Sequence, residues 1–215
     1  MRLLLIHTCG AEGLVALAED AYILAVELLP GRSSSENLLP AVRRLMEARS
    51  WRVGELAAIA VVNGPGSFTG VRVGLSAAKG LCEAGGVGML AMSRLALVAA
   101  SLAASLDAQG EVLAVLDAGR GEYFCGVYAA GVRVSEQLLR AEEVAALRQQ
   151  RRVVTCEARV AESLGEGVDL VAEPGPERML AMALSRIEGG EWSDVATVDA
   201  NYLRRTDAEI LVHGR

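Results

Sequence analysis

Aromatic residues are scarce in this sequence of 215 residues: Phe, Trp and Tyr make up only 4% of it, so its core must be mostly aliphatic. Histidine occurs twice, as His7 and His213 at opposite ends of the chain, which leaves little material for a histidine metal site. Cysteine occurs four times, at Cys9, Cys82, Cys125 and Cys156, without a C-x-x-C pair. Such scatter indicates neither a zinc site nor a disulfide framework, and reduced cytosolic thiols are the plain reading. Positive charge is short as well: 21 Lys and Arg face 27 Asp and Glu, for a net charge of −6. With a pI near 5.1, the chain lacks the basic footprint of a protein that grips nucleic acid alone. Long hydrophobic runs are missing too. The apolar start at Met1–Ile6 is stopped by His7 and Thr8 before a signal-peptide core forms. The Ala- and Leu-rich segment Leu95–Leu106 is broken by Ser101 and Ser105 and is too short to span a bilayer.

What is present in quantity is aliphatic surface and glycine. Hydrophobic residues make up 52% of the chain, enough for one globular protein with a sizeable core, in one body or two small lobes. The organising stretch is Ala58–Leu81. Ile59–Val62 is a short β-branched run and reads as a buried strand. Gly64-Pro65-Gly66 breaks it, and Ser67 or Thr69 caps the helix that follows. On that helix Gly66, Gly70, Gly74 and Ala78 recur every four residues and so share one face. An interior glycine costs about 1 kcal/mol relative to alanine, so the series implies that another backbone comes very near. Spacing alone allows the protein's own sheet or a helix of another chain. The loop is not a P-loop, because Val71-Arg72 follows Gly70 where Lys-Ser/Thr would be needed.

The remaining elements follow in order. Leu3–Thr8, Leu14–Ala18 and Ala21–Leu28 read as three strands of an antiparallel meander. Pro30–Ser35 is a polar loop that ends in a capping signal before a helix over Glu36–Ser50, whose apolar stripe is Leu38, Leu39, Val42, Leu45 and Met46. After the central strand and glycine helix come a short strand at Gly88–Ala91 and a helix from Ser93 to Leu106. Three strands, then helix, strand, helix, strand, helix is the order of the actin-like, sugar-kinase-like (ribonuclease H-like, ASKHA) α/β fold. Asp107–Gly110 is read as the boundary between an N-terminal lobe, residues 1–106, and a smaller C-terminal lobe, residues 107–215. In the second lobe Glu111–Leu116, Tyr123–Ala129, Val132–Leu139 and Arg152–Cys156 read as strands, and Ala141–Arg148 and Glu177–Glu188 as helices. That lobe looks like a truncated second copy of the first.

The run Asn63–Gly74, continued by Ala78-Lys79-Gly80-Leu81, resembles the signature of the TsaB (YeaZ) family, and Asn201–Ile210 resembles that family's Tyr-Leu-Arg close. The resemblance implies the same fold. It also implies a non-catalytic subunit of the cytoplasmic machinery that makes threonylcarbamoyladenosine in tRNA. Such a subunit pairs with the paralogue TsaD, with the ATPase TsaE bound to the pair and tRNA met only through the complex. The chain alone is expected to hold no cofactor, with room for ATP or ADP at the interface with the partner. The family's association surface uses the first two helices. Mapped here, it comprises Leu38, Leu39, Val42, Leu45 and Met46 with Phe68, Gly70, Val71, Gly74, Leu75 and Ala78. An apolar stripe beside a side-chain-free face would make a tight four-helix contact, and alone the same surface would close a homodimer. A bulky residue at Gly74 is then expected to block assembly and spare the fold.

Two turns bear on catalysis. ATP-using members of this fold class need carboxylates there to hold magnesium. After the first strand the family usually has Asp-Thr-Ser or Asp-Thr-Ala; here His7-Thr8-Cys9 stands, and imidazole is a poor magnesium ligand. The family's frequent histidine before the first helix is replaced by Ser34. After the strand at Val112–Leu116 comes Asp117-Ala118-Gly119-Arg120-Gly121-Glu122. Asp117, Gly119 and Gly121 are the candidates for a nucleotide or magnesium contact; the alternative is a tight loop with Asp117 accepting backbone hydrogen bonds. An ATP-dependent phosphotransferase of the sugar-kinase or acetate-kinase class is the second functional reading, and rests on that turn. A metallopeptidase is the third, and the chain lacks the His-x-x-x-His pair that TsaD carries. No metal site is expected, and Cys9 beside His7 does not make a Cys-His catalytic pair.

Overall fold

Leu3, Leu4, Leu5 and Ile6 are four consecutive apolar residues, and all four are fully buried. A strand can bury every residue only if both faces of its sheet are covered. In the computed structural model, which describes residues 1–30, 34–103 and 110–203, they lie on β1 (Arg2–His7) at the centre of a five-stranded sheet. β1 pairs antiparallel with β2 (Gly13–Glu19), and β2 with the edge strand β3 (Tyr22–Leu29). On its other side β1 pairs parallel with β4 (Ala58–Val62), and β4 with β5 (Gly88–Met92).

Side chains alternate across the sheet. Leu4 and Ile6 pack with Leu38, Ala41, Val42 and Met46 of α1 (Ser34–Ala48) and with Leu75, Ala78 and Cys82 of α2 (Phe68–Gly85). Leu3 and Leu5 pack on the opposite face with Leu97 of α3 (Arg94–Ala103), and with Met179, Leu180 and Ala183 near the chain's end.

The second sheet contains β6 (Glu111–Gly119), β7 (Glu122–Ala129), β8 (Val132–Arg140), β9 (Arg152–Thr155) and β10 (Val168–Leu170). Its order β10-β9-β6-β7-β8 repeats the first strand for strand, with the same two antiparallel and two parallel pairings. Its helices α4 (Ala141–Leu147) and α5 (Ala158–Leu164) have seven residues each, where α1 and α2 have 15 and 18. The shortening of the second copy therefore lies in its crossovers, while its sheet is a full repeat.

Contacts divide the described residues into two units, one built on Met1–Leu97 with Glu173–Ala200 and the other on the residues between them, with residues 201–203. This corrects the boundary read from sequence, which gave everything after residue 106 to the second lobe. The cause is α6 (Pro176–Glu188), whose stripe Met179, Leu180 and Ala183 is buried against the first sheet. Past α6 the chain runs along the edge strand β5, where Ser193 bridges Met89, and Trp192 occupies the space a Cβ at Gly88 would need. The loop Gly31–Ser33, the side chain of Ser34, the stretch Asp107–Gln109, the tail from Arg204 and His213 lie outside the described residues. Among those described, no helix is long and apolar enough to cross a membrane.

Candidate functional site

The glycine face of α2 meets the end of β1. Thr8 is buried, and its hydroxyl donates to the Gly70 carbonyl at 2.6 Å. A Cβ at Gly70 would stand 1.9 Å from the Thr8 carbonyl oxygen, one at Gly74 2.3 Å from Thr8 Oγ1, and one at Gly66 2.3 Å from the Cys9 carbonyl oxygen. Ser67 caps the helix, its hydroxyl accepting the Gly70 N–H at 3.3 Å. The close approach is thus to the protein's own sheet, not to another chain.

This corrects most of the mapped association surface. Gly70, Val71, Gly74, Leu75 and Ala78 are buried, as are Leu38, Val42 and Met46, because the sheet takes the apolar stripe of both helices. Leu45 is half-buried, while Leu39 is 53% and Phe68 51% exposed. The outer faces therefore retain two large apolar side chains. The Arg72 guanidinium lies over the Phe68 ring at 3.8 Å. Beside Leu39 an open groove of about 360 Å³ is lined by apolar Val42, Met46, Trp51, Val53 and Leu81, with Arg43, Glu47 and Arg52 also in its wall.

The turn after β1 holds a different chemistry. His7 is 1% exposed, and its Nε2 faces Glu173 Oε1 at 3.3 Å without a geometrically sound hydrogen bond. Arg94, the first residue of α3, is buried, and its guanidinium grips Glu173 with Nε to Oε1 at 2.7 Å and Nη2 to Oε2 at 2.5 Å. Burial pushes the Glu173 carboxyl up, but the hydrogen bonds and charge of the Arg94 guanidinium outweigh it and hold the group well below its usual range. Burial pushes the Cys9 thiol up to about 12, and its Sγ donates to the Val62 carbonyl at 3.0 Å. A thiol so held is a poor nucleophile.

The equivalent turn of the second sheet is a two-residue hairpin loop. Gly119 pairs with Glu122, and Arg120 and Gly121 both have positive φ, 60° and 76°, as a type I′ turn requires. Asp117 Oδ1 accepts the Gly119 N–H at 2.7 Å, and the Asp117 N–H donates to Glu157 at 2.7 Å. Asp117, Gly119 and Gly121 are therefore brought together as a closed turn. Among the described residues no group of three or more His, Cys, Asp and Glu could hold a metal ion.

Comparison with known proteins supplies the family. The model described as "TsaD: tRNA N6-adenosine threonylcarbamoyltransferase" matches residues 29–187. The chain belongs to this family. Its similarity within the family is to TsaB (YeaZ) members. It is 35% identical over 129 residues to the "tRNA threonylcarbamoyladenosine biosynthesis protein TsaB" of Escherichia coli, covering 60% of this chain and 55% of that protein. It is 32% identical over 116 residues to the protein of the same description from Bacillus subtilis, covering 54% and 49%. The chain thus spans about half the length of the curated relatives it matches. The solved structure of "YeaZ from Pseudomonas aeruginosa" covers 94% of this chain and 99% of its own at 29% identity, with a TM-score of 0.76. That likeness and the repeated strand order establish the actin-like, ribonuclease H-like α/β fold.

Arg94 and Glu173 escaped the sequence reading. Arg94 heads an Ala/Leu-rich helix and Glu173 lies in a polar loop, 79 residues apart, so no local spacing joins them. The one available signal is a lone arginine opening an otherwise apolar helix.

Proposed function

We propose that this chain is a non-catalytic subunit of the assembly that makes threonylcarbamoyladenosine in tRNA, binding and supporting a TsaD transferase subunit. The relationship to TsaB proteins carries the role. The chemistry of the two turns supports the absence of catalysis. A guanidinium saturates the carboxylate at the first turn, and a positive charge there opposes a magnesium ion. At the second turn one oxygen of the Asp117 carboxylate accepts a backbone N–H of its own turn. These features also weigh against the phosphotransferase reading. The binding surface is the outer face of α1 and α2, where Leu39, Phe68 and the adjoining groove expose apolar area to a helix of the partner. TsaE joins the pair, ATP or ADP is held only together with the partner, and the work is cytoplasmic.

Light scattering across size-exclusion peaks tests this, with the chain alone, mixed with TsaD of the same organism, and mixed with TsaD and TsaE. The expected result is a heterodimer with TsaD that recruits TsaE. A chain that ignores TsaD overturns the reading. So does magnesium-dependent ATP turnover by the isolated chain that Asp117→Ala abolishes.

A further inference from the structure

The ion pair at the first turn is lopsided. The Arg94 side chain is 5% exposed and is anchored at the head of α3, where the Arg94 N–H donates to the Gly64 carbonyl at 2.7 Å. The Glu173 side chain is 37% exposed and belongs to the loop between β10 and α6, not to a strand or helix. The cation is built into the fold, and the anion reaches it from a loop. Loss of the Glu173 carboxylate from a buried guanidinium is unfavourable, so an oxyanion that can take the same two N–H groups is favoured there. Its planar fork fits carboxylate and phosphate oxygens alike.

Two further features surround the fork. His7 Nε2 is buried, faces Glu173 Oε1 at 3.3 Å and makes no sound hydrogen bond. The carboxylate has two oxygens, and both are engaged by the guanidinium; a free oxyanion seated on the fork can turn an oxygen toward the imidazole. At Gly10 a Cβ would come within 3.2 Å of Glu173 Oε1, so the turn after β1 lies directly against the carboxylate.

We propose that Arg94, His7 and the Gly10 turn form a binding site for a small oxyanion, with Glu173 as a tethered occupant that a free ligand displaces. The ligand class is a carboxylate or phosphate group small enough to sit on one guanidinium. This goes beyond the scaffold reading and does not depend on it, because the site needs no partner.

The test uses the full chain and two probes, acetate and inorganic phosphate, each compared with chloride at equal ionic strength and neutral pH. Thermal unfolding is followed in the wild type, Glu173→Ala, and Glu173→Ala with Arg94→Met. Removing both charges of a buried pair is commonly tolerated, so the double variant is a fair control. In Glu173→Ala the expected result is a saturable rise in Tm of a few degrees with at least one probe, absent from the double variant. In the wild type half-saturation should need at least about tenfold more anion, since the tethered carboxylate competes. If Glu173→Ala does not fold, Glu173→Gln removes the charge while keeping the shape, and is titrated in the same way. Response to acetate alone assigns a carboxylate ligand, and response to phosphate assigns a phosphate group. Equal behaviour in acetate, phosphate and chloride, or a rise that survives loss of Arg94, overturns the site.

Discussion

A methyl group at Gly70 would lie 1.9 Å from the Thr8 carbonyl oxygen, and no side-chain rotation can relieve a collision with main chain. Gly70→Ala is therefore expected to cost about 3 kcal/mol or more in urea unfolding, the upper end of overpacking penalties. Gly74→Leu, whose first carbon meets Thr8 Oγ1 at 2.3 Å, should also destabilise the monomer instead of sparing it. Gly80 lies on the same helix with nothing within 4 Å of its would-be Cβ. Gly80→Ala should stabilise by up to about 1 kcal/mol, which separates collision from a general intolerance of side chains on α2. Glu173 gives a prediction in pH. Its carboxyl is held below its ordinary value of 4.5, so the ionised group stabilises the fold fully above that value. The contribution is lost as pH falls from there toward the depressed folded value. Wild type should exceed Glu173→Gln in Tm at neutral pH, and the gap should narrow progressively below pH 4.5. A gap that widens in acid would refute the assignment.

At the scale of elements, the helices and the sheet separate into what packs inward and what is left over. The stripe Leu38, Val42 and Met46 and the stripe Leu75, Ala78 and Cys82 are consumed by the first sheet. Leu39 and Phe68 are left outside. Leu39→Asp and Phe68→Ser should each leave the unfolding midpoint within about 0.5 kcal/mol of wild type, as surface changes do, while weakening TsaD binding at least about tenfold by calorimetry. Unchanged affinity in both would move the surface elsewhere. The helical periods of α1 and α2 were legible because long amphipathic segments repeat their signal, and the strand–turn–helix at Ala58–Gly85 was legible from its glycines and Pro65. The direction of the glycine face was not, since a side-chain-free stripe reads the same whether it meets its own sheet or a partner. α5 was missed, and so was β10, whose three residues carry too little period. α6 was recognised as a helix but assigned to the wrong unit, because its apolar stripe does not say which sheet it will cover. The Arg94–Glu173–His7 cluster was invisible because its members meet only after folding.

At the scale of the molecule, an apolar face left outside one copy is available to a second. Surface charge does not favour self-association at neutral pH, with a net charge of −6 on each chain, so a homodimer must rest on apolar contact that excludes water. In such a homodimer twofold symmetry would set α1 and α2 of one copy against those of the other, and each residue would meet its own surroundings twice. Two consequences separate this arrangement from non-specific sticking. Added salt should screen the like-charge repulsion and leave the apolar contact intact, so dimerisation measured by analytical ultracentrifugation should strengthen modestly between low and physiological salt. Leu39→Asp should weaken the homodimer more than it weakens the complex with TsaD, because symmetry introduces the carboxylate twice in the first case and once in the second. The homodimer should also give way as TsaD is titrated in, since one face cannot serve two partners. A homodimer that persists intact inside the TsaD complex would show that the two assemblies use different surfaces, and would restrict the outer face of α1 and α2 to one of them.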